Sequence, residues 1–328
     1  LEAIGYKFRS NTDTEVVANL YNHFGIEFIS KLNGMFAIAI YDEKKSQIYL
    51  FRDRYGIKPL YLYEDDNGLI FSSDLKSIVR QKSTRVSLDS DAIREYFRFH
   101  YIRNPRTPYV EIKKLVAGHY YVIDTNTLEI KSYKYYDIDD NSINYQQTEE
   151  EIVSNVDNLL HDSISKRMIS DLEVGSFLSG GVDSSIVAAI ASEYTTQRIK
   201  TFSIGYKGLS DYFDETEYAL EVSRQYNTQH HVLSLDFDKT FDDFEDIIYE
   251  LDEPIADTSV FLNYHLSKLT KEHVTVALSG LGADELFGGY NRHQAVILEN
   301  KLRKLPLPTR SINRILSSVP ENRTSSLG

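Results

Sequence analysis

The chain has 328 residues, enough for two domains with cores of their own. Its 36 Lys and Arg against 49 Asp and Glu leave a net charge of −13, which argues against a nucleic-acid phosphate track. There is no cysteine, which excludes disulfides, thiolate zinc sites and a cysteine nucleophile within these residues; no secretory signal or apolar run near the roughly 20 residues of a membrane span is present, so the cytoplasm is the expected compartment.

In chain order, the residues from Gly34 to about Tyr136 predict short strands and turns. The β-prone runs are 35–41, 47–51, 59–63, 69–71 and 120–123, broken by Asp42-Glu43-Lys44-Lys45, Gly56 and Asp65-Asp66-Asn67-Gly68. The last of these predicts a hairpin turn, and Lys44-Lys45 and Asp65-Asp66 read as solvated turn tips. Residues 137–148 are polar and lack a helical period, which sets the expected boundary between a domain over 1–140 and another over 149–328.

Past Thr148 the rhythm changes to alternating helix and strand. Ile152, Val156, Leu159, Leu160 and Ile164 fall on one helical face, with Thr148 as cap and Glu151 three residues on. A short strand reaching Leu178 precedes an alanine-rich helix over 184–192. Then come a strand at 199–205, a helix near 215–226, a strand at 231–235, helices to about Lys271 and a strand at 274–278. Repeated βα units with apolar strands predict an α/β, doubly wound parallel sheet that binds its ligands at the carboxyl ends of the strands. His230 and His231 open one strand with no third ligand spaced for a metal, so a surface role is expected rather than zinc.

Two Gly-rich segments sit at such strand ends. Residues 178–185 read Leu-Ser-Gly-Gly-Val-Asp-Ser-Ser, between a strand and a helix start. Gly180 and Gly181 let the backbone approach closely, and the free N–H groups and positive end of the helix favour an anion there. Ser179, Ser184 and Ser185 add hydroxyls, while Asp183 would repel that anion unless a divalent metal bridged the two. No Gly-Lys-Ser/Thr accompanies the loop, so transfer of a γ-phosphate is disfavoured. In the second segment, residues 278–290, Ser279 and Gly280 can contact a nucleotide and Asp284 can share a metal with Asp183.

Ser-Gly-Gly-Val-Asp-Ser resembles the pyrophosphate loop of ATP pyrophosphatases, which implies splitting of ATP to AMP and pyrophosphate. Taken with the second segment, with Asn-Gly-Met-Phe-Ala-Ile-Ala at 33–39 and with Arg-Asp-Arg-Tyr-Gly-Ile-Lys-Pro-Leu-Tyr at 52–61, the chain resembles the glutamine-dependent asparagine synthetase family from about Asp13 to His293. The resemblance implies an adenine nucleotide α-hydrolase-like domain preceded by a partial, antiparallel β-rich, N-terminal-nucleophile-type class II glutaminase domain. It implies that Asp183 and Asp284 hold Mg²⁺ and that Ser179, Gly180, Gly181, Asp183 and Ser184 cradle pyrophosphate. Phe177, Leu178 and Ile204 would lie at the nucleotide, Ser279 and Gly280 would complete the ATP site, and Asp13 would contact the α-amino group of glutamine. Glu253, with Asp257, resembles a segment near the acceptor pocket and joins Asp183 and Asp284 as a catalytic candidate; a polar helix start capped by Asp257 or Thr258 is the other explanation.

The activity so implied is ATP-dependent conversion of aspartate to asparagine through a β-aspartyl adenylate, with ammonia drawn from glutamine. Its partners are small molecules (ATP, glutamine or ammonia, aspartate or another carboxylate), with no nucleic acid or membrane, and a homodimer is among the assemblies open to it. Three departures qualify the resemblance. The N-terminal cysteine nucleophile, and the arginine and Asn-Gly upstream of the Asp13 segment, have no counterparts, and residues 305–328 look too short for the family's last helices, so the chain reads as truncated at both ends. Leu281 replaces an acid between the glycines of the second segment. Two rival readings follow: a relative acting on a different carboxylate such as a sugar acid, or closing a ring, and a nucleotide-binding relative without catalysis.

Overall fold

The computed structural model describes residues 1–65, 68–138, 146–207, 215–236 and 242–303. They pack as two units, and the division does not follow chain order. The first unit takes Leu1–Gln146 together with Asp243–Val260; the second takes Gln147–Asp242 and the chain from Phe261 onward. The block expected as one second domain over 149–328 is therefore interrupted, because 243–260 finds its packing and hydrogen-bond partners in the first unit.

In the first unit, α1 (Asp13–Phe24) is followed by β1 (Ala37–Asp42), β2 (Gln47–Arg52), β3 (Tyr61–Asp65) and β4 (Gly68–Ser72). Next come α2 (Leu75–Val79), α3 (Ser90–Phe99), β5 (Ile112–Lys114), β6 (His119–Asp124) and β7 (Ile130–Lys134). The strands form two antiparallel sheets, β1-β2-β6-β7 and β4-β3-β5. Leu50, Leu60, Leu62, Leu115 and Ile123 draw side chains from both sheets into one core. Asp65 pairs with Gly68 across the β3–β4 connection, as a two-residue hairpin requires, although residues 66 and 67 lie outside the described residues. Asp65 is more than a solvated tip: it accepts from the Gly68 N–H at 3.1 Å and the Tyr63 hydroxyl at 2.9 Å.

The second unit begins with α4 (Glu149–Arg167), β8 (Val174–Phe177), α5 (Val182–Glu193), β9 (Lys200–Lys207), α6 (Thr216–Gln225) and β10 (Gln229–Asp236). The chain then passes through α7 (Phe244–Glu250) in the first unit and returns by α8 (Ser259–Lys271), β11 (Val276–Leu278), α9 (Ala283–Phe287) and α10 (Asn291–Arg303). Thr148 and Glu151 form the expected reciprocal cap on α4. The buried stripe of α4 is narrower than its periodicity predicts. Ile164 is buried and Leu160 packs beside it, whereas Ile152 and Leu159 are 46% and 67% exposed. Ile164 and Leu160 share their cluster with Ile190 and Ala191 of α5, at the C-terminal end of the face.

The sheet is parallel, in the order β10-β9-β8-β11. Winding runs outward from β8 through β9 to β10, then reverses to lay β11 on the other side of β8. The switch point thus falls between β8 and β11, where open α/β sheets bind ligands beyond the strand ends. His230 and His231 depart from the surface role expected of them. His230 is held by Thr201 Oγ1 at 2.9 Å and Ser203 Oγ at 3.0 Å. His231 pairs in register with Phe202, which brings the two rings into a stack with centroids 5.3 Å apart, and His273 lies 4.1 Å from His231. No helix among the described residues is long and apolar enough to cross a membrane.

Candidate active site

Leu178 ends the run of β8 with its side chain buried against Ala188 and Ala219, so only its backbone can face a ligand. The next residues turn sharply. Gly180 has φ +86°, and a Cβ there would stand 2.7 Å from the Ala219 amide nitrogen at the start of α6. Glycine is required both by the left-handed backbone and by this close approach. Gly181 then serves as the N-cap of α5 without any side-chain cap, which leaves the first-turn N–H groups of that helix to the loop. Ser179 and Ser184 pin the turn: their hydroxyls lie 3.0 Å apart, and Ser184 Oγ accepts from the Ser179 N–H at 3.1 Å. Gly181 N–H donates to Ser179 Oγ at 3.3 Å.

The loop after β11 meets this turn. A Cβ on Gly280 would stand 2.9 Å from the Ser184 nitrogen and 3.0 Å from the Asp183 carbonyl carbon. The two Gly-rich segments expected to act together are therefore in contact at the switch point. Ser279 accepts from the Leu281 N–H at 3.2 Å, and the Leu281 side chain is 83% exposed. Asp284 opens α9, and its backbone carbonyl accepts from Gly288 and Gly289. A Cβ on Gly289 would collide with its carboxylate, so that turn too is shaped around the acid.

Anion and metal chemistry both find suitable groups here. Ser185 Oγ is buried in the first turns of α5 with no hydrogen-bond partner among the described residues, an orphaned donor of the kind a phosphate oxygen satisfies. Sequence reasoning gave Ser185 only a supporting part; its burial is set by the helix packing and could not be read from the motif. Among the described residues no cluster of three or more His, Asp or Glu side chains forms a ready metal centre. Two carboxylates, Asp183 and Asp284, suit a hard cation that takes its other ligands from phosphates and water.

The remaining expected residues are distributed as follows. Phe177 ends β8, paired with Phe202, and Ile204 lies half-buried on β9. Asp13 is exposed at the first position of α1, on the rim of a cleft of about 1240 Å³ in the first unit that Tyr21, Leu32, Phe36 and Lys58 also line. Glu253 also belongs to the first unit. Its Oε2 lies 2.6 Å from Lys114 Nζ, and its Oε1 accepts from the Tyr61 hydroxyl at 3.2 Å. Burial, then the carboxylates of Glu253 and Asp252, push the Tyr61 hydroxyl well up, so it stays a donor. Asp257 caps α8, accepting from the Ser259 N–H at 2.9 Å.

Comparison with known proteins adds two matches. Residues 155–327 fit the sequence model for asparagine synthase, and residues 1–136 fit that for a glutamine amidotransferase domain. A Methanocaldococcus jannaschii protein provisionally named a glutamine-hydrolysing asparagine synthetase is 38% identical over 311 residues, covering 93% of this chain and 59% of its own length. Asparagine synthetase [glutamine-hydrolyzing] 1 of Bacillus subtilis is 34% identical over 307 residues, covering 93% and 47%. Asparagine synthetase 3 of the same organism is 30% identical over 304 residues, covering 88% and 49%. The chain spans about half the length of these curated relatives.

Proposed function

The chain belongs to the asparagine synthase family, and from that premise we propose that it converts aspartate to asparagine, splitting ATP to AMP and pyrophosphate. The aspartate side-chain carboxylate attacks the α-phosphorus, the bond to the β-phosphate oxygen breaks, and ammonia then displaces AMP from the acyl-adenylate. The observation that carries this reading is the seating of Gly280 against Asp183 and Ser184, which joins the two loops at the switch point.

The work of these residues is electrostatic. The uncapped first turn of α5 offers its N–H groups to the departing pyrophosphate, and the hydroxyls of Ser179, Ser184 and Ser185 offer further donors. Phe177 and Ile204 would flank the nucleotide, with Ser279 and Gly280 closing its site. Magnesium held by Asp183 and Asp284 would neutralise phosphate charge and favour departure of pyrophosphate. Asp13, at the rim of the first unit's cleft, would receive the α-amino group of glutamine. These residues contain no thiol, so free ammonia is the amine donor with which to test them.

A second reading keeps the adenylation and changes the acceptor. It is favoured by Leu281, an exposed apolar side chain where the family resemblance implies an acid. ATP–pyrophosphate exchange across a panel of acids decides between the two. Exchange with aspartate supports the first reading, exchange with another acid alone supports the second, and ATP binding with no exchange identifies a nucleotide-binding relative without catalysis. ADP as the main product of a single turnover would end both amide-forming readings.

A further inference from the structure

Three rings meet on one face of the sheet in the second unit. Phe202 of β9 and His231 of β10 are register partners, and their rings stack with centroids 5.3 Å apart. His273, in the turn between α8 and β11, closes the group at 4.1 Å from His231 and 5.7 Å from Phe202. His231 Nε2 is buried with no hydrogen-bond partner among the described residues, and the charges that act on its ring are those of His273 and Lys200. Lys200 Nζ donates to the His273 carbonyl at 3.4 Å, and the Glu173 carboxylate, 2.7 Å from that nitrogen, is engaged with it. His230 turns to the opposite face, where Thr201 and Ser203 hold both its nitrogens. A proton added to His231 therefore meets positive neighbours and finds no acceptor at Nε2.

The strain of that charge falls on the weaker of two ladders. β10 pairs with β9 at eight positions, from Gln229 on Lys200 to Asp236 on Lys207, which keeps His231 beside Phe202. β11 pairs with β8 at three: Val276, Ala277 and Leu278 on Val174, Gly175 and Ser176. The joint is close. A Cβ on Gly175 would stand 2.8 Å from Phe202 Cε2 and 3.0 Å from Val274 Cγ2, so the ring that both histidines touch also abuts the entry to β11. At the far end of β11 the chain reaches Gly280, seated on Asp183 and Ser184. We propose that the His231–His273 stack is an acid-sensitive latch on β11: protonation parts the two rings, loosens this strand before its neighbours and unseats the Gly280 loop from the turn at the start of α5. The latch goes beyond the function proposed above and does not depend on it.

The test follows amide hydrogen exchange in the full chain at about pH 7.5 and about pH 5.5, corrected for the intrinsic pH dependence of exchange, in wild type, His231→Phe and His273→Phe. In wild type, protection of the 276–281 amides should fall about tenfold further than that of the β9 and β10 amides over this interval. Each variant keeps three rings in the stack and leaves one titratable ring of the pair. A cation on that ring would lie against aromatic faces, which favour it, so the difference between strands should shrink to within about twofold. The variants alter opposite sides of the stack, so either one, if folded, decides. Unchanged protection at 276–281 in wild type, an equal loss in β9, β10 and β11, or a response at 276–281 retained by a folded variant would each overturn the latch.

Discussion

Gly280 and Asp183 approach so closely that no side chain fits between them: a Cβ on Gly280 would stand 3.1 Å from the Cβ of Asp183. The contact joins the ends of two strands that enclose the switch point of the sheet, and it seats the turn at the start of α5 against the loop after β11.

Gly280→Ala should therefore separate the loops. The two nearest atoms it meets are backbone and the third is the Asp183 Cβ, none of which can swing aside, so overpacking should cost about 1–3 kcal/mol in unfolding free energy. If the proposed function holds, displacing the turn by even about 1 Å should lower ATP–pyrophosphate exchange about a hundredfold. Thermal unfolding and exchange assays on the same preparation check both numbers; a variant with wild-type exchange would remove the contact from the mechanism.

Asp183→Asn should separate activity from stability. No hydrogen bond or ion pair engages the Asp183 carboxylate among the described residues, so folding loses little and the unfolding free energy should change by less than about 0.5 kcal/mol. Magnesium-dependent pyrophosphate release should fall by about a thousandfold, because the charge clamp supplies several kcal/mol. Activity near the wild-type level would show that the metal has other ligands.

The histidines of the second unit predict a loss of stability in acid. Burial first, then the charges of His273 and Lys200, hold His231 below its ordinary value of 6.5; burial, then His231, does the same for His230. Neutral rings are thus favoured in the folded state, so their stabilisation is present above 6.5 and is lost as pH falls through the depressed folded values. The unfolding midpoint should drop between about pH 7 and about pH 5. His231→Phe keeps the stack on Phe202 and should flatten that slope; a slope equal to the wild type would assign the effect elsewhere.

Asp252 predicts the opposite sign in the first unit. Burial, then the hydrogen bond and charge of Asp74, raise its pKa, and Asp74 is tied to the α2 N-terminus through the N–H groups of Lys76 and Ser77. The ionised form is therefore penalised in the folded protein at pH values above the folded pKa, and the penalty is relieved as pH falls. Asp252→Asn should raise the unfolding midpoint by about 2 °C at neutral pH, with the difference closing toward about pH 4. Equal midpoints at neutral pH would mean that the pair is fully solvated.

What could be read in advance was whatever local sequence controls. The strand, turn and helix around Gly180 follow from residues within a dozen positions of one another, as does the Thr148–Glu151 cap on α4. The packing of 243–260 could not be read that way, since Tyr61 and Glu253 are 192 residues apart and the stretch itself looks like one more helical linker. His231 was misjudged for a related reason. Its stacking partner is set by the register between β9 and β10, and His273 arrives from a later loop. Leu159 and Ile152 show the converse case, members of a periodic apolar face that stay exposed among the described residues.

The return of Asp243–Val260 to the first unit also sets an order of events during synthesis. When the ribosome has delivered residues 1–146, Lys114 still lacks its carboxylate, and the surface that will receive Ile247 is still bare. Completion of the first unit waits for about a hundred more residues, most of which build the other unit, so these contacts of high sequence separation close late. Cleavage between residues 146 and 147 would accordingly yield one fragment missing part of its own fold and another carrying a segment with nowhere to pack.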